Sequence, residues 1–467
     1  MRKNIVKNLT ALFTGEVVAR MCHFVAVIYI ARIFGAAGFG AINFSLAIIA
    51  YFMMVTNLGL GEIGVREVSR SKDIKDVAET IISMRLGIAV ISFAVILLIA
   101  LVGNKTTETM YLVIAYGLTI FPYAMSLEWV FRGVEKMKYN AYGRTINAVL
   151  YLAMVLLLVR GIQDILKVAF ITLAADLIAC AFYYGSYSRK FGGIKLHLDL
   201  KRWLAMGKIS SQLFVSSALL VVYINFGTIA LGFLKDEKAV GIYGAAAKLV
   251  FFVYALSDLF VAATFPVMAR LYHESREKLG EFMKYSLKVT ALFGIPVAVG
   301  GTMLGPKIIR LVYGTSYVQS GPIFQILSWF AAINLTSFVL SYSLVACDRQ
   351  HIYLKVMAGG ALFNIAFNLL VVPYAGYYAS ALALVLTEVA TLLWSYLIVK
   401  DLIKLPSLGS YTRLIAAAMV MVAALFALRK FDIAILMVVA VIAYFGAVFA
   451  FGGIKKSEIA RIKEAFI

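Results

Sequence analysis

Glu16, Arg20 and His23 stand inside an apolar run, 10–33, that is long enough to cross a bilayer. At about 100° per residue the three fall within roughly 60° of one another, so one stripe of this helix is ionisable and the rest is apolar. A charge at the centre of a membrane helix costs roughly 2.5–3.5 kcal/mol on insertion scales, so the stripe faces a water-filled cavity or a buried partner. Glu16 and Arg20, one turn apart, can also neutralise each other. Further along, Arg85, Arg144, Lys248 and Lys288 are cations within apolar runs, and Asp176, Asp258 and Glu388 are acids so placed. Arg85, Arg144 and Lys288 lie near helix ends, where snorkelling accounts for them as well as function does. Lys248 is about ten residues into its helix and is harder to explain that way. Each acid suits a cation partner, a proton or sodium site, or a protonated carboxyl hydrogen-bonded in the bundle. Desolvated cations attract anions, so an anionic head group is the natural guest of the cationic set. Asn57, like Asn147, Asn225, Asn334, Asn364 and Asn368, is of a type that more often bonds helix to helix than binds a ligand.

No residue pattern for bond-breaking chemistry accompanies these charges. The sequence has no phosphate-binding Walker loop, no HExxH, no GxSxG and no Cys/His zinc spacing. Cys22, Cys180 and Cys347 are far apart in or beside apolar helices, which implies neither a disulfide framework nor a metal site. No catalytic residue, cofactor or metal is therefore expected; a coupling ion, H+ or Na+, is compatible with the acids.

The elements that must carry these residues follow from composition. Hydrophobic residues make up 63% of the chain and charged residues 15%, and the mean hydropathy is +0.91. These values indicate an all-α polytopic membrane protein. Fourteen membrane helices are expected: 10–33, 39–60, 79–102, 108–132, 141–160, 163–187, 208–233, 239–269, 282–304, 318–345, 352–372, 376–399, 411–428 and 431–452. An even count puts both termini on one side. Placing that side in the cytoplasm puts about 24 Lys/Arg inside and about 9 outside, as the positive-inside rule favours. The net charge of +20 thus reads as orientation, not as affinity for nucleic acid. Pro122, Pro266, Pro296 and Pro373 mark expected bends, and Gly300–Gly301 and Gly359–Gly360 mark close approach or flexing.

The two halves of the chain are alike. Gly40-Ala41-Ile42-Asn43 matches Gly241-Ile242-Tyr243-Gly244, and on that register Asn57 stands opposite Asp258, Arg85 opposite Lys288, and Asp176 opposite Glu388. The expected organisation is an N-lobe over 1–187 (helices one to six), a basic cytoplasmic linker over 188–207, a C-lobe over 208–400 (helices seven to twelve), and 401–467 with helices thirteen, fourteen and a cytoplasmic tail. A parallel repeat of this kind places a substrate path between two bundles.

Several motifs together resemble the polysaccharide transporter family, the Wzx-type oligosaccharide flippases of the MOP flippase superfamily. They are Asn8 to Phe13, Arg20, Ala31-Arg32-Ile33-Phe34-Gly35, Gly38-Phe39-Gly40 and Arg66-Glu67-Val68-Ser69-Arg70. Glu128-Trp129-Val130-Phe131-Arg132-Gly133-Val134-Glu135-Lys136-Met137 resembles the element after helix four, and Gly241-Ile242-Tyr243 with Ala245-Ala246-Ala247-Lys248 resembles that of helix eight. The resemblance covers nearly all of helices one to twelve. It implies two lobes around a V-shaped cavity that opens alternately to each side. It further implies a cargo of oligosaccharide on a polyprenyl phosphate or pyrophosphate, moved to the external leaflet for surface glycan assembly. The last two helices would shape a groove for the lipid tail. Val221, opposite Arg20 on the repeat register, is a departure that argues against a symmetric ring of cations.

On this reading Arg20 and Lys248 contact the head group, with Arg85, Arg144 and Lys288 as further candidates. Glu16, Asp176, Asp258 and Glu388 serve coupling or gating, and His23 and Asn57 are other cavity residues. Expected partners are the lipid-linked oligosaccharide, membrane lipids and glycosyltransferases or polymerases of the pathway, at the plasma membrane. Two alternatives stay open: a cation-coupled multidrug or metabolite antiporter of the same superfamily, and a membrane-embedded glycan transferase or ligase.

Overall fold

The computed structural model describes residues 2–71, 73–103, 105–403, 405 and 408–453. The tail expected after 453 lies outside the described residues. Two compact units are formed, Met1–Ile229 and Ala230–Ile467. The first contains α1 (Arg2–Asn57), α2 (Leu60–Arg70), α3 (Ile74–Val102), α4 (Thr107–Gly117), α5 (Ile120–Met125), α6 (Glu128–Gly133), α7 (Lys138–Leu158), α8 (Ile165–Phe191) and most of α9 (Leu200–Leu234). The second contains α10 (Glu237–Glu274), α11 (Arg276–Tyr313), α12 (Ser320–Ala346), α13 (Gln350–Ala375), α14 (Tyr377–Leu402), α15 (Thr412–Ala427) and α16 (Ile433–Ala450). The compact-unit boundary falls within α9, later in the chain than the basic linker at 188–207.

The chain is a multi-pass helical membrane protein. Among the described residues, eleven helices are long and apolar enough to span a membrane. The first of these holds two expected spans, folded at Gly35 (φ 63°). With α10 and the shorter α15, all fourteen expected spans correspond to helix. A side chain at position 35 would be strained by its backbone angle and not by any neighbour, since nothing lies within 4 Å of where a Cβ would stand. After Asn57 the chain turns through Leu58 (φ 46°) and Gly59 (φ 74°), and the Asn57 side-chain oxygen accepts the Gly61 N–H at 3.2 Å. The amphipathic α2 that follows buries Leu60, Ile63, Gly64 and Val68. Gly64 packs closely against the Trp129 ring, and Gly133 against Val68.

Lipid gives helices no hydrophobic reason to associate, so close packing must hold them, and small residues permit it. A Cβ on Gly15 would lie 3.1 Å from the Ala141 Cβ, so α1 and α7 nearly touch. In the second unit, Gly301 meets Ser328 and Gly360 meets Thr391. These glycines thus serve close approach. Pro266, Pro296 and Pro373 lie inside helices that run on past them. The fourth expected span behaves otherwise: 108–132 is not one helix but three, α4 to α6, interrupted at 118–119 and again at 126–127. Pro122, in the first turn of α5, needs no N–H partner there and cannot extend α4, which accounts for the first break.

The linker is tied to α3. Lys195 N–H donates to Glu79 at 2.8 Å, His197 N–H donates to the Ser83 hydroxyl at 3.1 Å, and Arg202 pairs with Asp76. In the second unit α15 and α16 pack on α11 through Leu414, Met421, Leu425 and Tyr444 against Leu292 and Leu304. Lys307 fastens their turn by donating to the carbonyls of Arg429 (2.7 Å) and Phe431 (3.3 Å).

Candidate functional site

In the first unit, helices α1, α5, α6, α7 and α8 enclose a cavity of about 380 Å3. Glu16, Arg20, His23, Arg144 and Asp176 all line it. The helical spacing of α1 delivers the first three from one face. The close approach of α1 and α7 at Gly15 and Ala141 brings Arg144 opposite them.

The charges form a chain. Glu16 bridges two arginines, accepting from Arg20 Nε at 2.8 Å with one oxygen and from Arg144 Nη1 at 2.7 Å with the other. Arg144 also donates through Nε (3.1 Å) and Nη2 (2.5 Å) to Glu128. Its planar fork therefore joins two acids from two other helices. Spacing alone does not single out Glu128. It lies in a motif of the resemblance, yet its position as a cavity acid depends on the break before α6. Asn147, Tyr123, Ser126, Cys180 and Tyr183 also line the cavity. Asn147 donates to Asp176 at 2.8 Å, and the His23 ring lies 5.2 Å from that of Tyr151.

Arg20 and Arg144 keep 42% and 47% of their side-chain surface exposed, and Glu16 and Glu128 each keep 29%. At this exposure water reaches and screens the pairs, so a competing anion can exchange for a carboxylate. A guanidinium fork suits that exchange because it binds phosphate as readily as carboxylate, in the same two-pronged geometry.

The other expected residues lie elsewhere. Arg85 does not snorkel: it is 3% exposed and points its guanidinium at backbone carbonyls behind the cavity wall. Asn57 is absent from the cavity lining and ends α1 as described. Lys248, Asp258, Lys288 and Glu388 belong to the second unit. Lys248 is partly buried in α10, Lys288 partly buried in α11, and Asp258 exposed on α10. Glu388, 4% exposed, is buried in α14. Near Asp258 and Glu388 runs a line of aromatic rings, Tyr254, Phe338, Tyr342 and Tyr353, at centroid spacings of 5.8, 4.8 and 5.5 Å. The second unit also holds an apolar cavity of about 500 Å3, walled by α10, α11 and α12 and by Met421, Val441 and Tyr444 of α15 and α16.

Comparison with known proteins agrees with this architecture. Residues 213–370 match a MatE family model. A Shigella dysenteriae protein assigned as an O-antigen transporter is 24% identical, over 84% of this chain and 100% of its own. The capsular polysaccharide biosynthesis protein CapF of Staphylococcus aureus is 22% identical, over 84% of this chain and 98% of its own. Among solved structures, the lipid II flippase MurJ in an inward closed conformation superposes with a TM-score of 0.77 at 15% identity, covering 94% of this chain and 98% of that one. That likeness establishes the fold. Residues 5–272, more than half the chain, match the model of the polysaccharide biosynthesis protein family, and the chain belongs to that family.

Proposed function

We propose that this protein is a flippase, not an enzyme. It carries an oligosaccharide on a polyprenyl phosphate or pyrophosphate from the cytoplasmic to the external leaflet by alternating access, for surface glycan assembly. Its relatives are a capsular polysaccharide protein and an assigned O-antigen transporter, and MurJ, which shares its fold, is a lipid II flippase. The observation that carries the reading is the exposed ionic chain Arg20–Glu16–Arg144–Glu128 in a cavity among membrane helices. A phosphate arriving there exchanges with a carboxylate on Arg144 or Arg20. Lys248 and Lys288 are further head-group contacts, and the sugars occupy the wet part of the path. The apolar cavity against α15 and α16 suits the lipid tail. Asp176, Glu16, Asp258 and Glu388 serve coupling to H+ or Na+, and His23 lines the first-unit cavity with Glu16 and Asp176. Both termini are cytoplasmic, the membrane is the plasma membrane, and glycosyltransferases or polymerases of the pathway are the enzymes served.

Arg20→Ala or Arg144→Ala, in protein that still inserts and folds, should abolish glycan export in cells. Arg20→Lys should retain part of it, because the charge survives without the planar fork. Normal export in both alanine variants would remove the assignment. A second reading has its own observation: Glu16, Glu128 and Asp176 outnumber Arg20 and Arg144 at this cavity, which suits an organic cation. Proton release from purified protein on addition of such a cation would favour an antiporter.

A further inference from the structure

A membrane helix that stops and restarts leaves carbonyls that lipid cannot satisfy. The break between α5 and α6 is such a place, since α5 ends at Met125 and α6 begins at Glu128. Arg85, from α3, fills it. Its Nη2 donates to the Tyr123 carbonyl at 3.1 Å and its Nη1 to the Ser126 carbonyl at 3.5 Å. The guanidinium also lies over the Tyr123 ring, 5.0 Å from the centroid. A cation at the carboxyl end of a helix is favoured by the helix dipole as well as by the hydrogen bonds. From the other side, Asn140 Nδ2 donates to the Glu128 carbonyl at 3.1 Å. The break is therefore capped on its first half by Arg85 and held on its second by Asn140, and the residue it presents to Arg144 is Glu128.

We infer that Arg85 is a positioning residue that acts through Glu128 and never touches the head group. Burial separates it from the cations that can bind: Arg85 is 3% exposed, whereas Arg20 and Arg144 are 42% and 47% exposed at the side chain. Both Tyr123 and Ser126, whose carbonyls it holds, line the cavity, so the wall itself is what Arg85 fixes. The inference rests on reading the cavity as the head-group site. On that reading Glu128 is the anion that an incoming phosphate must displace from the Nε and Nη2 edge of Arg144, and that returns to expel it. Losing Glu128, or losing the break that presents it, leaves that edge open. Binding then tightens while release, and with it transport, slows.

The test uses the full-length protein in lipid nanodiscs and in liposomes, with farnesyl diphosphate as the probe. Arg85→Gln and Glu128→Gln should each tighten probe binding about tenfold, the loss of one charged competitor, and each should slow transport. The double variant should bind no more tightly than either single variant. Arg85→Lys, which keeps the charge but spans fewer carbonyls, should fall between wild type and Arg85→Gln. It carries the test if the glutamine variant fails to fold. A purely structural arginine would lower thermal stability and leave the affinity unchanged. Unchanged or weaker binding in the Arg85 variants overturns the inference, and so does a double variant in which the two effects multiply. If the probe binds neither wild type nor any variant, the head-group reading itself fails.

Discussion

Gly143 lines the cavity beside Arg144, and its missing side chain is what lets Tyr183 stand against α7. A Cβ there would fall on the Tyr183 ring, whose hydroxyl reaches the Asn140 carbonyl at 3.5 Å. Gly143→Ala should thus displace the ring and disturb the Asn140 that holds Glu128. Overpacking of this kind costs about 1–3 kcal/mol, so a lowered unfolding midpoint with impaired transport is expected; wild-type transport would show that the wall tolerates the shift. The residues of this site differ in how far the sequence reveals them. Glu16, Arg20 and His23 are legible because helical spacing alone puts them on one face of α1. Glu128 is not, because its exposure depends on a helix break held by Arg85 and Asn140 from other elements. Arg85 is legible as an intramembrane cation, but its closeness to a helix end suggests a surface role, and only packing shows that it is buried.

At the level of elements, the α15–α16 hairpin depends on one long side chain. Lys307 donates to two carbonyls in the turn between the helices, those of Arg429 and Phe431. Lys307→Met should therefore release the turn at a cost on the order of 1 kcal/mol, given its exposure. Amide hydrogen exchange at 428–432 should quicken while probe binding in the first unit stays at the wild-type level. Unaltered exchange would show that the packing of Leu414, Met421 and Tyr444 on α11 suffices alone. The helices themselves follow from hydropathy, and all fourteen expected spans correspond to helix. The second break in the fourth span does not follow, because Ser126 and Leu127 carry no helix-breaking signal and tertiary contacts from Arg85 and Asn140 stabilise the chain's departure from the helix there.

At the level of the whole molecule, the repeat read from the sequence leads to an expected division at the basic linker 188–207. The compact units part inside α9, where a continuous helix carries no compositional mark. Charge is likewise distributed differently from what the totals suggest. The chain carries +20, yet in the ionic chain of the first cavity two guanidiniums face two carboxylates. The chain balances its own charge and Asp176 adds a further carboxylate to the lining, so the cavity does not act as a long-range electrostatic funnel for anions. Capture of a head group should then be governed by the rate at which carboxylates let go, not by the speed of attraction. Stopped-flow association of farnesyl diphosphate should accordingly vary little between low and physiological ionic strength, whereas a steered encounter slows steeply as salt screens it. On the proposed function, the ionic chain would make this cavity an exchanger of partners, selective for anions that outcompete glutamate and indifferent to those that are merely negative.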